Sequence, residues 1–501
     1  MRKIISLFCI LSMSLYLSAQ PQFGERPRLV VGIVVDQMRW DYLSRYYEKF
    51  TEGGFRRLIN DGYSCDNCII NYVPTITAIG HASAYTGTTP AFHGICGNNF
   101  YIDGQKVYCT ADSTVNTVGA AGTRGKHSPR NMLSTTIGDQ LRLHTDFRSK
   151  VVGVSYKDRA AILPAGHSAN AAFWLDPTSL RFVTSTYYMD ELPEYVRRVN
   201  AAIATHKEAQ KAGERIGYYP LCGTLTTDMA IAALQGENLG RGDATDMLCV
   251  SFSQTDVIGH EWGTRGDNTD EVYLELDRDI ARLLNALDQQ VGEGNYLLFL
   301  TADHAAAHNW RFMRENKIPG GPLYMDSLKT TLNEYVKAKV GGTSPVVADI
   351  MDYRIFLNRK AVSQQGLDIH QVKAALVDCL LTMPGIVTAV DFEQARTSAV
   401  PQLLLDRILM GYHPRRSGDV IFIPEPQHYS WRDTLSPTHT THGEWNPYDS
   451  HIPLLFFGWN VTHGATSREV HINDIAPTVC QMLHIQQPNA CSGQPITEIS
   501  R

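Results

Sequence analysis

The chain has 501 residues, of which 43% are hydrophobic and 19% charged, and its formal net charge is -6. This is an ordinary globular composition with enough chain for a large core, in one large α/β domain or two to three smaller ones. The acidic balance and the lack of a long basic run exclude a typical nucleic-acid-binding protein.

The first residues predict export. Arg2 and Lys3 precede a largely apolar run over 4–17, and the small residues Ser18 and Ala19 follow it. That run is too short for a comfortable membrane span, so we interpret 1–19 as a signal peptide rather than an uncleaved anchor. No later run is long and apolar enough for a transmembrane helix. We expect a periplasmic or secreted protein without stable membrane insertion.

Apolar runs rich in β-branched residues alternate with helical patterns along the rest of the chain. The run 29–35 reads as a strand buried on both faces, hence the centre of a parallel sheet. Helical pattern follows over 41–60, with a break at Gly53-Gly54. Further strands are predicted at 151–156, 246–252, 296–301, 420–423 and 453–457, and a long amphipathic helix at 269–291.

This alternation predicts an α/β fold with a mostly parallel central sheet sandwiched by helices. There is no internal repeat and no low-complexity tract. We interpret 20–501 as a single domain that carries loop or cap insertions near 97–220 and 320–415, the second of which is expected to form a capping subregion.

Export makes disulfides chemically accessible. Ten cysteines include Cys9 in the signal peptide, so nine remain and at least one has no partner within a monomer. The C-x-x-C at 65–68 favours a local disulfide over zinc or redox chemistry, because no second C-x-x-C accompanies it. Pairing of 96 with 109, and of 480 with 491, would close short loops.

The segment 71–82 combines a proline with small, helix-compatible residues. Pro74 holds the chain extended, so Thr75 or Thr77 is expected at the N-cap or first turn of a helix over 78–85. The backbone N–H groups and the dipole at such an end favour an anion. A threonine hydroxyl there is suited to attack phosphorus or sulfur if its proton is removed. The alternative is that Thr77 only caps the helix.

Acidic residues and histidines collect where predicted strands end. They are Asp36, the Asp256/His260 pair, and Asp303-His304; His442 is the exception, because it precedes the strand 453–457. In open α/β sheets ligands bind at the carboxyl ends of strands, so these segments are expected to meet. Three Asp, three His and one hydroxyl suffice for two zinc sites, although manganese or iron can substitute.

On these residues the chain resembles the alkaline phosphatase superfamily, and within it the phosphate-irrepressible bacterial enzymes that use threonine as nucleophile. The resemblance covers essentially the whole mature chain. Its motifs are V-V-D-Q-M-R-W-D-Y-L (34–43), V-P-T-I-T-A-I-G-H-A-S-A-Y-T-G (73–87), G-N-N-F (97–100), Y-K-D-R (156–159), S-F-S-Q-T-D-V-I-G-H (251–260), T-A-D-H (301–304) and T-H-G (441–443).

The resemblance implies an alkaline phosphatase-like fold, two Zn²⁺ ions and a role for each residue. One zinc would be held by Asp256, His260 and His442, and the other by Asp36, Asp303, His304 and the Thr77 oxygen. Asn98, or Asn99 one place later, would hydrogen-bond a phosphoryl oxygen. Lys157 and Arg159 would contact the remaining non-bridging oxygens. His308, His439 and His451 are interpreted as supporting residues.

The chemistry is consistent with a phosphomonoesterase. Thr77 would attack phosphorus in line, and water would then hydrolyse the phospho-threonine. Two cations aimed at non-bridging oxygens suit a monoester dianion, so the expected partners are small phosphate monoesters, bound by a monomer. The alternatives are a nucleotide pyrophosphatase/phosphodiesterase of the same superfamily and a non-catalytic periplasmic metal- or phosphate-binding protein. A sulfatase is disfavoured because C-x-P-x-R or S-x-P-x-R is absent at the nucleophile.

Overall fold

The structure is a computed structural model that describes residues 26–500. The predicted signal peptide at 1–19 lies outside these residues. Within 26–500, none of the helices has both the length and the apolar character that crossing a bilayer requires.

The centre of the fold is a ten-stranded sheet whose middle strands are parallel. Its central strand, Leu29–Val35, is fully buried, as its continuous apolar run requires. This confirms the predicted α/β class. In spatial order the strands are Gly464–Thr466, Tyr63–Cys65, Leu454–Gly458, Tyr296–Thr301, Leu29–Val35, Asp246–Phe252, Val151–Ser155, Ala171–Asp176, Arg181–Ser185 and Thr117–Val118.

Both margins of this sheet depart from the parallel pattern. Leu454–Gly458 runs antiparallel to Tyr296–Thr301, with Leu454 opposite Thr301. On the other side Arg181–Ser185 runs antiparallel to Ala171–Asp176. Four strands between 117 and 185 belong to the central sheet. Much of the segment 97–220 is therefore part of the core, whereas the sequence predicted an insertion there.

Helices cover the sheet and fill the connections. The predicted helix over 41–60 is shorter than expected, because only Asp41–Arg45, a 3-10 turn at Tyr47–Lys49 and Phe55–Asp61 are helical. The other α-helices are Thr77–Thr86, Pro90–His93, Ile137–His144, Asp158–Ala165, Glu194–Thr205, Lys207–Ala212, Leu221–Gly236, Gln254–Trp262, Asp267–Gln290, Trp310–Glu315, Met325–Lys339, Arg359–Gln364, Ile369–Leu381, Gln402–Met410, Pro447–Ser450 and Ile475–Met482. Further 3-10 turns are Gly213–Tyr218, Phe392–Thr397, Ile472–Asp474 and Thr497–Ile499.

Four smaller sheets complete the structure. The largest is four-stranded and antiparallel, and it includes the predicted strand at 420–423, which therefore does not extend the central sheet. It has its own apolar core, and we refer to residues 321–431 as the cap region. The strands are Val347–Met351, Arg354–Leu357, Val420–Pro424 and Ile386–Asp391; Gly321–Tyr324 with His428–Trp431; His451–Ile452, Cys68–Ile69 and Val470–His471; and the hairpin Asn99–Ile102 with Gln105–Tyr108.

None of the three expected disulfides is formed. All nine cysteines of the described residues are free thiols, and all but Cys491 are buried. The C-x-x-C pair is divided between two sheets, because Cys65 ends a strand of the central sheet and Cys68 begins a strand of the three-stranded one. The thiols act as small apolar core groups, and burial raises the pKa of Cys65 to about 12.

His93 gives the fold a testable sensitivity to acid. Burial, and then the charges of His413 and Arg416, lowers the pKa of His93 to about 3. Its Nδ1 accepts a hydrogen bond from the Ile95 N–H at 3.1 Å. Because the folded pKa lies below the unfolded value of about 6.5, His93 stabilises the fold fully above that value and loses this contribution as the pH falls towards 3.

We expect His93→Asn to reduce the acid sensitivity, because the Asn amide oxygen can accept from Ile95 but does not titrate. Linkage predicts that the loss of unfolding free energy between pH 8 and pH 5 is smaller by about 2 kcal/mol in the variant. Urea unfolding at both values, with a chelator present throughout, measures it. Equal losses in the two proteins would contradict the role of His93.

Candidate active site

Three of the parallel strands end at one edge of the sheet, and each leads directly to predicted site residues. Asp36 follows Leu29–Val35, and Asp303-His304 follows Tyr296–Thr301. Asp256 and His260 lie one turn apart on helix Gln254–Trp262, after Asp246–Phe252. Parallel strands necessarily end at the same edge, so the fold brings these side chains together.

His442 reaches this edge by a different route. It lies in the loop before Leu454–Gly458, and that strand is antiparallel to Tyr296–Thr301. The start of an antiparallel strand lies beside the end of its neighbour. The loop that carries His442 therefore faces the same cluster, and the His442 and His304 rings are stacked with centroids 3.5 Å apart.

The six side chains form two groups of three. Asp256, His260 and His442 form one group, and Asp36, Asp303 and His304 the other; within each group the donor atoms lie within 4.8 Å of one another. In the first group the His260 Nε2 is 3.1 Å from Asp256 Oδ1. In the second the His304 Nε2 is 3.5 Å from Asp36 Oδ1. The predicted division of the six residues matches this grouping.

All three histidines present Nε2 to their group because Nδ1 is engaged by a backbone carbonyl. His260 Nδ1 donates to Thr440 O at 2.8 Å, His304 Nδ1 to Ala305 O at 3.0 Å, and His442 Nδ1 to Thr75 O at 2.7 Å. A carbonyl only accepts hydrogen bonds, so Nδ1 carries a proton and Nε2 is the nitrogen that faces the group. This arrangement is typical of metal-binding histidines.

Thr77 is the first residue of helix Thr77–Thr86 rather than its cap. The N-cap residue, Ile76, makes no side-chain capping bond. The Thr77 hydroxyl lies 3.2 Å from His304 Nε2 and is almost fully buried. Gly80 allows the helix to pack against Asp303, because a Cβ there would lie 2.0 Å from the Asp303 carbonyl oxygen. The helix therefore holds a hydroxyl, at its positive end, beside one group of ligands.

Asn98 lies at the same helix end. Its Oδ1 accepts a hydrogen bond from the Ala78 N–H at 3.1 Å, one residue after Thr77. Asn99 instead begins the strand Asn99–Ile102. Of the two candidates left by the sequence, Asn98 is therefore the one whose side chain contacts the helix that begins at Thr77, and its amide nitrogen is available to donate.

Lys157 and Arg159 differ in their surroundings. Lys157 Nζ lies between the two groups, 2.6 Å from Asp36 Oδ2 and 2.5 Å from Asp256 Oδ2. The Arg159 guanidinium donates to the Tyr108 hydroxyl at 3.0 Å, and that hydroxyl donates to Asp158 at 2.7 Å. Lys157 is thus in direct contact with both groups, whereas Arg159 is held beside them through the hairpin.

Burial and neighbouring charges shift the pKa values of residues in both groups. Burial, and then the negative charges of Asp256 and Asp303, raises the pKa of Asp36 well above its usual value. Burial, and then His304 and His260, holds the pKa of His442 well below its usual value. Carboxylates crowded at low dielectric repel each other, and the Lys157 ammonium between Asp36 and Asp256 offsets part of this repulsion. A neutral imidazole is the form that binds a metal.

The donor set fits two divalent cations. Asp36 Oδ1 is buried and accepts no hydrogen bond within residues 26–500. An unpaired buried carboxylate oxygen is costly, and a coordinated cation removes that cost. Each group offers mixed N and O donors, which zinc accepts. Either ion would be held by the three residues of its group, and Thr77 would lie within reach of the one held by His304.

Comparisons with known proteins identify the family of the chain. A family model described as type I phosphodiesterase / nucleotide pyrophosphatase matches residues 30–445. The chain is 42% identical to alkaline phosphatase PafA of Elizabethkingia meningoseptica, over 95% of this chain and 94% of that protein. A crystal structure of wild-type PafA superposes with a TM-score of 0.90, covering 95% of this chain and 99% of that chain.

The chain belongs to the type I phosphodiesterase / nucleotide pyrophosphatase family of the alkaline phosphatase superfamily. It is a hydrolase of the alkaline phosphatase type. Alkaline phosphatase PhoV of Synechococcus elongatus is 41% identical over 96% of the chain and 94% of that protein. A Myroides odoratus protein named calcium-transporting ATPase is 43% identical over 95% of each.

Two residues of this alkaline phosphatase-type site were missed by the sequence analysis. Gln37 adopts a left-handed φ of 66°, and it donates to both groups, through its N–H to Asp303 Oδ1 at 3.1 Å and through Nε2 to Asp256 Oδ1 at 2.7 Å. His81 lies 3.2 Å from Asp303 Oδ2. Their signals are present, because Gln37 adjoins Asp36 and His81 is one helical turn after Thr77.

The three histidines interpreted as supporting residues lie outside the two groups. The His439 ring is parallel to that of His260, with centroids 5.6 Å apart. His308 Nδ1 makes a short hydrogen bond with the Thr264 hydroxyl. His451 contacts the Asp66 carbonyl through Nε2 at 2.9 Å and stacks on Trp40. His439 alone contacts a residue of the site directly.

Proposed function

We propose that this enzyme is an exported, zinc-dependent phosphomonoesterase that works through a phospho-threonine at Thr77. The observation that supports this most is the burial of the Thr77 hydroxyl at a helix N-terminus, 3.2 Å from His304 Nε2. The proposed ligands are Asp256, His260 and His442 for one Zn²⁺, and Asp36, Asp303 and His304 with the Thr77 oxygen for the other.

The reaction proceeds in two displacements. The Thr77 hydroxyl loses its proton, and its oxygen forms a bond to phosphorus while the bond between phosphorus and the ester oxygen breaks; the ester oxygen takes up a proton and leaves as the alcohol. A water then gives up a proton and attacks the phosphorus, which breaks the bond to Thr77, leaves its oxygen to be protonated again and releases inorganic phosphate. Bound zinc supplies Lewis-acid stabilisation of the attacking and leaving oxygens. Asn98 donates to a phosphoryl oxygen, and the helix N-terminus favours the anion.

The positive charges of Lys157 and Arg159 favour monoesters over diesters as substrates. A monoester dianion presents three non-bridging oxygens with two charges, which two cations can neutralise, whereas a diester has one charge fewer and an additional ester group. Lys157 is in contact with Asp36 and Asp256, and Arg159 is fixed by Tyr108. We therefore propose small phosphate monoesters as substrates, with the diester preference of a nucleotide pyrophosphatase/phosphodiesterase as the alternative.

We also propose a location, a domain organisation and an oligomeric state for the protein. Residues 1–19 have the charged start, short apolar run and small residues of a signal peptide, which supports a periplasmic or secreted location. We propose that 20–501 act as one catalytic domain, with the cap region as an insertion, and that the chain is a monomer.

Removal of metal tests the proposal directly. We expect the purified enzyme to contain two zinc ions per chain, and chelation to lower kcat for an aryl phosphate by at least about 10³-fold, because only the chain's own charges then stabilise the transition state. Readdition of Zn²⁺ restores the rate. Full activity in the chelated enzyme, with its metal content shown to be negligible, would contradict the metal-dependent mechanism.

A further inference from the structure

Thr75 joins two loops that are far apart in sequence. It precedes the nucleophile by two residues, and it contacts three consecutive residues of the loop that carries a predicted zinc ligand. The Thr75 carbonyl accepts from His442 Nδ1 at 2.7 Å, its hydroxyl accepts from the Gly443 N–H at 3.2 Å, and the same hydroxyl donates to the Glu444 carbonyl at 2.9 Å. Thr75 is fully buried.

These contacts differ from those of the other two site histidines. His304 Nδ1 donates to the residue that follows it, and His260 Nδ1 donates to Thr440 on the loop that also carries His442. Only His442, among the three, is oriented by the segment that carries the nucleophile. The position of His442 relative to Thr77 therefore depends on Thr75.

The hydroxyl has a role that the backbone carbonyl cannot perform alone. Gly443 has a φ of 124°, a left-handed conformation that favours glycine, and a Cβ there would lie 3.0 Å from the Tyr353 ring. The residue next to His442 is therefore one whose backbone has no side chain to restrict it. One hydroxyl that both accepts from Gly443 and donates to Glu444 fixes this residue from both sides.

We propose that Thr75 is a positioning residue that holds His442 in the orientation needed for metal binding. It thereby fixes the position, relative to Thr77, of the ion that His442 would bind. This inference rests on the proposed two-zinc function. It predicts a selective defect, because loss of the hydroxyl weakens the group of Asp256, His260 and His442 and leaves the group of Asp36, Asp303 and His304 intact.

The test compares Thr75→Val, which removes the hydroxyl at nearly constant shape, with Thr75→Ser, which keeps it. Thr86→Val is a matched control, since Thr86 is a buried threonine at the far end of the helix that begins two residues after Thr75, and its hydroxyl donates to Ala82 O at 2.8 Å. Metal-stripped proteins are titrated with Zn²⁺ against a chromophoric chelator, and native mass spectrometry counts the bound ions. The kcat for an aryl phosphate is measured at limiting and at saturating zinc.

We expect Thr75→Val to bind one ion as the wild type does and the second about 10- to 100-fold more weakly, with kcat recovering as zinc is raised. Thr75→Ser and Thr86→Val should bind both ions within about threefold of the wild type. If Thr75→Val does not fold, Thr75→Ala, which leaves room for a water, should show the same selective loss.

Three results would overturn the proposal. Wild-type affinity for both ions in the Val and Ala variants would show that the hydroxyl does not position His442. Equal weakening of both ions would indicate a general structural defect. If the wild type itself takes up fewer than two ions, the proposed function fails and this inference fails with it, whereas two ions in the wild type without selectivity in the variants refutes this inference alone.

Discussion

Thr77→Ala should abolish most turnover while two zinc ions remain bound. Loss of a nucleophile typically removes several orders of magnitude in kcat, and we expect at least about a 10³-fold loss here. Metal retention is expected because each proposed ion keeps three protein ligands without Thr77. Steady-state kinetics with an aryl phosphate and metal analysis of the same preparation measure both quantities.

The control for this variant is Thr77→Ser, which keeps the hydroxyl and loses only a methyl group. It should retain a substantial part of the activity. Acid-quenched wild-type enzyme should yield a peptide phosphorylated at Thr77, and Thr77→Ala should yield none. Wild-type turnover in Thr77→Ala would show that another group attacks the phosphorus.

Arg159→Ala should damage monoester hydrolysis far more than diester hydrolysis. Removal of one charged donor from a transition state typically costs about 10²- to 10³-fold, and a diester offers one charge fewer for Arg159 to neutralise. We expect kcat/KM for an aryl monoester to fall by about that amount, and that for the matching diester by less than about tenfold. Parallel kinetics with the two substrates measure the ratio.

Two further variants separate the charge of Arg159 from its placement. Arg159→Lys keeps the charge but loses the planar guanidinium, which can donate two parallel hydrogen bonds. This variant should lose part of the monoester activity. Tyr108→Phe removes the hydroxyl that accepts from Arg159 at 3.0 Å and leaves the cation. It should show an intermediate loss, again confined to the monoester. Equal losses on both esters in Arg159→Ala would remove the argument for substrate class.

The parallel centre of the sheet could be predicted because its strands are continuous apolar runs bounded by polar residues. Leu29–Val35, Asp246–Phe252 and Tyr296–Thr301 have the predicted bounds. The direction of a strand and the sheet to which it belongs could not be predicted, because a short apolar run of residues carries no information about either property. This explains the two differences at Val420–Pro424, which belongs to the cap region, and at Leu454–Gly458, which is antiparallel.

The same reasoning applies to the candidate site. Residues at the ends of parallel strands were expected to meet, and Asp36, Asp256 and Asp303 do. His442 was noted as an exception because it precedes its strand, and that strand is antiparallel, so its start lies at the same edge. Thr75 was missed as a support because its hydroxyl contacts backbone groups of a distant loop, which leave no side-chain motif in the sequence.

A preference for monoesters, with Lys157 and Arg159 binding the dianion, can be measured as one ratio. It is kcat/KM for an aryl phosphate monoester divided by kcat/KM for the matching diester, in zinc-replete buffer. We expect a ratio well above one. A ratio below one would contradict the proposed monoester preference and would assign the chain to the phosphodiesterases of its family. Lys157 and Arg159 would then have no role in binding the substrate.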